Sequence, residues 1–380
     1  MRVTVWIFTI ALGCGSTEPE VPTPDAPVAA RSCRTFGPMT RQPALQTSSG
    51  APLHPTGIVA DPYAIYEDGH YRLWFTTVDW TTGSVFDATD RKLGTGYVES
   101  VDGVTWDDSA LLPSDPAHKV DLVLESDVWD AEGVETVSVV RTGDELVLFH
   151  TGDRSDGSNA IGRARSSDGL AWTRDAGPVL LPEAAWEQPI CLDEPACTAF
   201  IGGLLEPAFV VDPSGMQHVW YAAMGIRGSD LSMQIGHAFS VDGITWERSP
   251  EPVFTPGGAG DWDEILVSHT NVVADPAGGY HLFYQGISRA QQDQCAVEGE
   301  CPFYTPGSIG HAFSDDGTTW TRDPEPLLVP DASAGDGFFV GGPAAIIRDG
   351  RVELFYFGIA SKADQTELRA HLAMATASCL

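Results

Sequence analysis

The stretch Ile235 to Pro256, IGHAFSVDGITWERSPEPVFTP, has three similar copies elsewhere in this 380-residue chain. Each copy reads as a strand, a Ser-x-Asp-Gly turn, a tryptophan and a further strand. The other copies are Gly96 to Pro113, Ile161 to Pro182 and Ile309 to Pro330. Their tryptophans, Trp106, Trp172, Trp246 and Trp320, follow one another at roughly 70-residue intervals, and a long period in a strand-rich sequence predicts repetition of one structural unit.

A strand hairpin precedes each Ser-x-Asp-Gly turn, which gives each repeat four strands. The hairpins are Val59 to Thr76, Val134 to Phe149, Leu205 to Tyr221 and Ser268 to Tyr284. A fifth hairpin, Gly342 to Phe357, is followed by Arg369 to Thr376 but by no turn. We therefore expect the segment after Cys33 to supply the outermost strand of the fifth repeat. The aspartate of each turn is expected to bond its own backbone, which is a structural role.

The composition favours an all-β fold. The chain has 40 glycines and 27 prolines between short runs rich in Val, Ile, Phe, Tyr and Trp, and no long segment has a helical period. We predict a five-bladed β-propeller of four-stranded antiparallel blades, spanning residues 33–380 as one domain. An N-terminal strand would complete blade five and remove the open edges of the array. A solenoid is the structural alternative.

The net charge is strongly negative. Lys and Arg together number 21 against 53 Asp and Glu residues, which gives a formal charge of -32 at pH 7. Binding to nucleic-acid phosphates needs clustered Lys and Arg, so nucleic acid is excluded as a partner. We interpret the acidic surface as a solubility feature of a protein outside the cytoplasm, and we expect a monomer.

The first residues read as a secretory signal. One arginine precedes the apolar run VTVWIFTIAL, which is too short to span a bilayer, so residues 1–13 are predicted to be a signal peptide. Ala11-Leu12-Gly13-Cys14 resembles a bacterial lipobox, which implies lipidation of Cys14. Residues 14–32 would then be an acidic, proline-rich tether. We expect a lipid anchor at the bacterial outer membrane or cell surface, and an ordinary cleaved signal is the alternative.

The cysteine count fits an oxidising compartment. Removing the lipidated cysteine from the total of seven leaves six, an even number. Two pairs enclose five residues each in polar loops that lack the spacing and histidines of a zinc site. The remaining two cysteines lie at the ends of the predicted domain. The predicted disulfides are Cys191–Cys197, Cys295–Cys301 and Cys33–Cys379.

Several motifs resemble those of five-bladed propeller glycosidases. The openings Ala60-Asp61-Pro62 and Leu205-Glu206-Pro207, the blade count and the S-x-D-G-x-x-W turns are similar to those of glycoside hydrolase families 43 and 32. These families include arabinanases, xylosidases, levansucrases and invertases. The resemblance covers nearly the whole mature chain. It implies a glycoside hydrolase that acts on an extracellular oligo- or polysaccharide.

The innermost strand of each propeller blade lines the central channel, and its first residue points into the ligand pocket. An alignment of the five hairpins places Asp61, Glu135, Glu206, His269 and Gly342 at this position. Burial of three carboxylates together is unfavourable without a function, so this ring is the candidate active site. Hydrogen bonding to loops or to a bound ion is the structural alternative.

Glycoside hydrolysis needs one carboxylate as base or nucleophile and one protonated carboxyl group as acid. The resemblance implies that Asp61 is the base, and it places Glu206 where the family has an aspartate that orients the acid and tunes its pKa. His269 stands where the family has its acidic glutamate, and Glu135 is an extra carboxylate. Either Glu206 or Glu135 is the acid, or Glu264 reaches in from a loop, or the site no longer hydrolyses sugars.

Other side chains are candidates for substrate binding. His269 is a candidate hydrogen-bonding partner or metal ligand, with a satisfied channel histidine as the alternative, and the resemblance implies a structural calcium ion in the channel. No cofactor is required. Trp129, Trp186 and Trp262 precede blades two, three and four, where aromatic faces would stack on sugar rings, or else pack between blades. The second function class is a non-catalytic glycan-binding or scaffold propeller on the cell surface.

Overall fold

The computed structural model describes residues 33–47, 53, 59–80, 91–106, 127–227, 230–297, 305–361 and 370–380. These belong to one compact unit, Arg31–Leu380. The predicted signal peptide, the lipidation site Cys14 and the tether lie outside the described residues. Cys301 lies outside them as well, so the Cys295–Cys301 disulfide stays a prediction.

The described part of the chain is almost entirely β-sheet. Two short strands come first, and antiparallel strand groups follow in sequence order. The first strands are β1 (Thr40–Arg41) and β2 (Gln46–Thr47). The first group contains β3 (Ala60–Glu67), β4 (His70–Trp80) and β5 (Arg91–Ser100), followed by β6 (Thr105–Trp106), which pairs with β2. The second group contains β7 (Gly133–Thr142), β8 (Glu145–Asp153), β9 (Ser158–Ser166) and β10 (Thr173–Arg174).

The third and fourth groups repeat this order. A short strand, β11 (Ile190–Cys191), precedes the third group. The third group contains β12 (Phe200–Val211), β13 (Gln217–Arg227), β14 (Asp230–Ser240) and β15 (Glu247–Arg248). The fourth group contains β16 (Leu266–Ala274), β17 (Tyr280–Ile287), β18 (Ser308–Ser314) and β19 (Thr321–Arg322).

Helical structure in the described residues is short. It consists of α1 (Arg289–Val297) and two 3-10 turns, Ala185–Glu187 and Ala332–Ala334. None of these helices is long and apolar enough to cross a membrane.

The fifth group combines both ends of the described chain. It contains β20 (Phe339–Arg348), β21 (Arg351–Ile359), β22 (His371–Ser378) and the N-terminal strand β1. Thr40 of β1 pairs with Thr376 of β22. The Cys33–Cys379 disulfide joins the same two segments, with 5.0 Å between the Cα atoms. This disulfide and Cys191–Cys197, at 5.2 Å, confirm two of the three predicted pairs.

The first strand of each group is its inner strand: β3, β7, β12, β16 and β20. Inner strands that follow one another in sequence are in contact, and β20 contacts β3. Each inner strand has a bulge near its start, where its register with the second strand shifts. The bulge residues are Asp61, Thr136, Glu206, His269 and Gly342, whose φ angles lie between 45° and 57°.

Apolar side chains fill the spaces between neighbouring groups. Phe149 of β8 packs against Phe209 of β12, with 4.5 Å between ring centroids. Phe75 of the first group shares a buried cluster with Phe355 and Phe357 of the fifth group. Full burial of a side chain of this size contributes about 1.5–3 kcal/mol. Packing between groups, including the fifth against the first, is therefore a main source of stability.

The Ser-x-Asp-Gly turns bond their own backbone, as predicted. In the third group the N–H groups of Ile244 and Thr245 donate to Asp242 Oδ1, each at 2.8 Å. The N–H of Gly243 donates to Ser240 Oγ at 2.8 Å. The hydrogen bonds from Thr245 and Ile244 lower the pKa of Asp242. The same bonds recur at Asp102, Asp168 and Asp316.

A buried acid precedes the inner strand of groups two to five and binds an arginine of the outermost strand. In the fourth group the Tyr284 hydroxyl donates to Asp263 Oδ2 at 2.8 Å, and Arg322 Nη1 donates to the same oxygen at 2.6 Å. The equivalent sets are Asp130 with Arg174, Glu187 with Arg248 and Tyr221, and Asp336 with Arg41 and Tyr356. Because Arg41 belongs to β1, the N-terminal strand supplies to the fifth group the arginine that β10, β15 and β19 supply to theirs.

Candidate active site

The five bulge residues meet in one pocket. Asp61, Thr136, Glu206, His269 and Gly342 line it together with the residues that follow them. Positive φ angles cost a non-glycine residue about 1–3 kcal/mol unless the surrounding structure fixes them. Since all five inner strands have the same bulge, this backbone shape belongs to the fold. The chemistry of the pocket is then set by which side chain stands at each bulge.

The predicted position of Glu135 in this ring is wrong, because Thr136 is the bulge residue of the second group. Glu135 pairs with Thr151 in the strand ladder and is not among the described residues that line the pocket. A proline follows the bulge residue in groups one, three and five and marks its position in the sequence. In group two Val137 follows instead, so the sequence carries no marker for the register.

Asp61, His269 and Glu206 form a charged chain across the pocket. Nε2 of His269 lies 3.1 Å from Oδ1 of Asp61, and Nδ1 lies 3.5 Å from Oε1 of Glu206. The main-chain N–H of His269 also donates to Oε2 of Glu206. The three side chains are between 9 and 14% exposed. Two carboxylates this deeply buried need a cation between them, and His269 supplies it.

Burial and neighbouring charges shift the pKa values of His269 and Glu206. Burial alone would lower the pKa of His269, but the Glu206 and Asp61 carboxylates outweigh it and raise this pKa to about 9. Burial raises the pKa of Glu206; the charge of His269 opposes this rise and the charge of Asp61 adds to it. An imidazolium therefore lies between the two acids at neutral pH, and Glu206 is an acid with raised proton affinity.

We expect His269 to titrate near pH 9. Its pKa in the folded protein exceeds the unfolded value of about 6.5, so its contribution to stability is fully present below about pH 6.5 and is lost as pH rises through about 9. Imidazole 15N NMR measures the midpoint. Asp61→Asn should lower it, because one of the two carboxylates that raise it is gone. A wild-type midpoint at or below about 6.5 would contradict the ion-paired arrangement.

Two oxygen atoms in the pocket make no hydrogen bond within the described part of the chain. They are Oδ1 of Asp61, whose ion pair with His269 is not aligned as a hydrogen bond, and Oγ1 of Thr270. Asp61 and Thr270 are 9% and 8% exposed. Both line a cavity of about 20 Å³, which is room for one water molecule. Sequence reasoning missed Thr270, although it directly follows a bulge residue, as Pro62 does.

The three tryptophans predicted at the pocket rim pack on strands of their own groups. Close approach to these rings requires glycine, since a Cβ at Gly310 would lie 2.4 Å from Trp262. None of the three is among the described residues that line the pocket. Trp129 stacks on His150 with centroids 5.7 Å apart, Trp186 on Tyr221 at 6.4 Å and Trp262 on Tyr284 at 5.5 Å. These ring contacts lie within one group and not between blades, and stacking on sugar rings stays a prediction.

Glu264, the other candidate acid, is turned away from the pocket. Its carboxylate accepts hydrogen bonds from the N–H groups of Gly260 at 2.7 Å and Arg289 at 2.9 Å. Both partners belong to its own loop and to the start of α1. Of the acids considered from the sequence, Asp61 and Glu206 are therefore the two that the structure brings together.

The pocket residues do not fit a ready-made metal site. Within the described ranges, no group of three or more His, Cys, Asp or Glu side chains is arranged to hold a metal ion. Both ring nitrogens of His269 face a carboxylate, which leaves neither directed toward a channel ion. The channel calcium stays a prediction, and no step of the chemistry below uses a metal ion.

A second cavity, which shares Tyr63 with the pocket, is mostly apolar. Its volume is about 430 Å³, and the inner strands line it mainly with Val, Ala and Ile side chains. Glu67 and Arg141, which pair at 2.6 Å, are also part of its lining.

Comparison with known proteins finds a similar fold in several solved structures. No protein-family model and no curated protein matches the chain. A thermostable family-43 glycoside hydrolase aligns with TM-score 0.58 and 17% identity over 83% of this chain and 88% of that chain. A beta-1,2-mannobiose phosphorylase from Listeria innocua aligns with TM-score 0.62 and 13% identity over 90% and 97%.

A third solved structure comes from a family of mannoside phosphorylases that contains glycoside hydrolases targeting beta-1,2 mannosidic linkages in Candida mannan. It aligns with TM-score 0.60 and 17% identity over 90% of this chain and 94% of that chain. At these identities the likeness shows the fold.

Proposed function

We propose that this chain is a five-bladed β-propeller that hydrolyses glycosidic bonds of an extracellular oligo- or polysaccharide at the Asp61–His269–Glu206 pocket. The equivalent bulges, the contacts between successive inner strands and the pairing of β1 with β22 support the blade count and the closure. The observation that carries the activity is the pairing of two acidic side chains from different inner strands across one histidine. The fold shared with glycoside hydrolases supports the choice of substrate class.

Glu206, Asp61 and His269 each have a role in this proposal. Glu206, whose pKa burial raises, donates its proton to the glycosidic oxygen as the carbon–oxygen bond breaks. Asp61 removes a proton from the water that attacks the anomeric carbon, and Asp61 lines the cavity that has room for such a water. His269 holds the two carboxylates in place and balances their charge.

Substrates with different leaving groups test the role of Glu206. Glu206→Gln should slow cleavage of a natural glycan by about 10²–10⁴-fold, because the alkoxide leaving group needs a proton. A dinitrophenyl glycoside leaves without a proton, so the same variant should retain most of its activity on that substrate. Asp61→Asn should lose activity on both substrates. Equal losses for Glu206→Gln on the two substrates would contradict the assignment of the acid.

A non-catalytic glycan-binding propeller is the second candidate function. The observation that favours it is the position of His269, whose ring nitrogens lie 3.1 Å from Asp61 Oδ1 and 3.5 Å from Glu206 Oε1 and so occupy the space between the two acids. His269 would have to move for a glycosidic bond to come between Asp61 and Glu206. In this function the wild-type protein binds a glycan and releases no product.

We further propose a monomer held outside the cytoplasm by a lipid on Cys14, with carbohydrate rather than nucleic acid as its partner. The two disulfides in the described residues support an oxidising compartment. Replacement of Cys14 with Ser should release the protein from the membrane fraction, and continued membrane association would contradict the anchor.

A further inference from the structure

Two pairs of successive strand groups, the first with the second and the second with the third, are joined by equivalent hydrogen bonds at the pocket. The main-chain N–H of Thr136 donates to Thr76 Oγ1 of the preceding group at 3.0 Å. The N–H of Glu206 donates to Thr151 Oγ1 of its preceding group at 2.8 Å. The two threonines are equivalent, because each pairs with the residue just before the bulge of its own inner strand. A hydroxyl at this position therefore satisfies the buried N–H of the next bulge residue.

The other three groups have no hydroxyl at this position: groups four and five have Gln285 and Phe357 there, and the third group is the one that precedes His269. Its equivalent residue is Ala222, which pairs with Leu205 just before the bulge and is fully buried. Ala222 has no hydroxyl to offer to the next bulge residue, His269. The N–H of His269 donates instead to the carboxylate of Glu206. A buried N–H left without an acceptor is unfavourable, so one of these two acceptors is required.

We propose that Ala222 is a positioning residue for the active-site acid: by withholding the hydroxyl that the equivalent threonines supply, it leaves the His269 N–H to hold the Glu206 carboxylate. This inference rests on the proposed function for its catalytic meaning. A hydroxyl at position 222 and the Glu206 carboxylate would compete for the His269 N–H. One N–H donates strongly in a single direction, so it cannot form a full hydrogen bond to both. A hydrogen bond to a carboxylate favours its ionised form, so the bond from the His269 N–H also limits the proton affinity of Glu206.

A single added oxygen tests the proposal. In Ala222→Ser the new Oγ should accept the His269 N–H and release Glu206, which then loses a hydrogen bond to its ionised form. We expect the 13C titration midpoint of the Glu206 carboxyl to rise by about one pH unit. The matched control is Ala223→Ser, a neighbouring buried alanine in a different apolar cluster, which should leave that midpoint unchanged. Equal midpoints in the two variants would overturn the proposal.

Two further readouts separate this proposal from the proposed function. If the wild-type protein cleaves a glycan, the alkaline limb of its kcat/KM profile should move upward in Ala222→Ser by the same amount as the carboxyl titration. If it cleaves none, the proposed function fails, while the titration of the Glu206 carboxyl still tests the hydrogen bond from the His269 N–H to Glu206. Should Ala222→Ser fail to fold, the wild-type His269 amide resonance provides the test. It should shift with the titration of Glu206, and an amide insensitive to that titration would overturn the proposal.

Discussion

Replacing Asp61 with Asn should lower the rate of glycan cleavage by about 10²–10⁴-fold, the usual contribution of a positioned general base. The amide has the shape of the carboxylate but cannot take a proton from water. Asn also tolerates the positive φ of 45° at this bulge. Folding should therefore be largely retained, and glycan binding measured by calorimetry should change little. Initial rates at saturating substrate measure the effect.

The matched control for this variant is Asp68→Asn. Asp68 lies on the same hairpin, has a similar φ of 52° and is exposed. The same chemical change in the same backbone conformation, but outside the pocket, should leave the rate unchanged. An Asp61→Asn protein that cleaves at the wild-type rate would contradict the role of Asp61. Equal losses in both variants would instead point to a general effect on the hairpin.

Asp263→Ala should cost about 3–5 kcal/mol of unfolding free energy, because it breaks a buried pair and leaves its partners without an acceptor. Asp263 is fully buried and accepts hydrogen bonds from Tyr284 and Arg322. Urea unfolding at constant m measures the loss. The double variant Asp263→Ala, Arg322→Met should lose less, because the unpaired cation is also removed. A loss of about 0.5 kcal/mol or less, as at ordinary surface sites, would show that the acid is not structural.

Equivalent variants at Glu187 and Asp336 test whether the other strand groups depend on their buried acids in the same way. Glu187 and Asp336 occupy equivalent places, and the partner of Asp336 is Arg41 of the N-terminal strand. Removal of either acid should destabilise its own group to a similar degree. A change at Asp336 that costs nothing would indicate that β1 contributes little to the fifth group.

Local patterns in the sequence predicted much of the fold. The Ser-x-Asp-Gly turns, the hairpins and the Cys33–Cys379 and Cys191–Cys197 pairs depend on neighbouring residues or on the repeat itself. The β-class followed from the same signals. The position of Glu135 was wrong because a bulge shifts the register by one residue, and group two lacks the proline that marks the bulge in groups one, three and five.

The candidate site depends on contacts between groups, which the sequence does not display. Asp61, Glu206 and His269 were identified individually from their places in the hairpins. The pairing of His269 with both acids arises from the distance between inner strands. The contributions of Thr270 and Ala222 depend on which buried atoms find a partner, and neither residue has an unusual sequence context. The tryptophans were placed at the rim from chain position alone, whereas neighbouring glycines allow them to lie flat on the strands.

The central claim is that the Asp61–His269–Glu206 pocket cleaves glycosidic bonds. The most direct measurement is the release of sugar from a panel of plant and microbial polysaccharides by purified wild-type protein, with Asp61→Asn assayed alongside. We expect wild type to release product from at least one polysaccharide, and Asp61→Asn to bind the same polysaccharide without releasing product. Binding of a polysaccharide by both proteins with no product from either would contradict the claim and identify a glycan-binding protein.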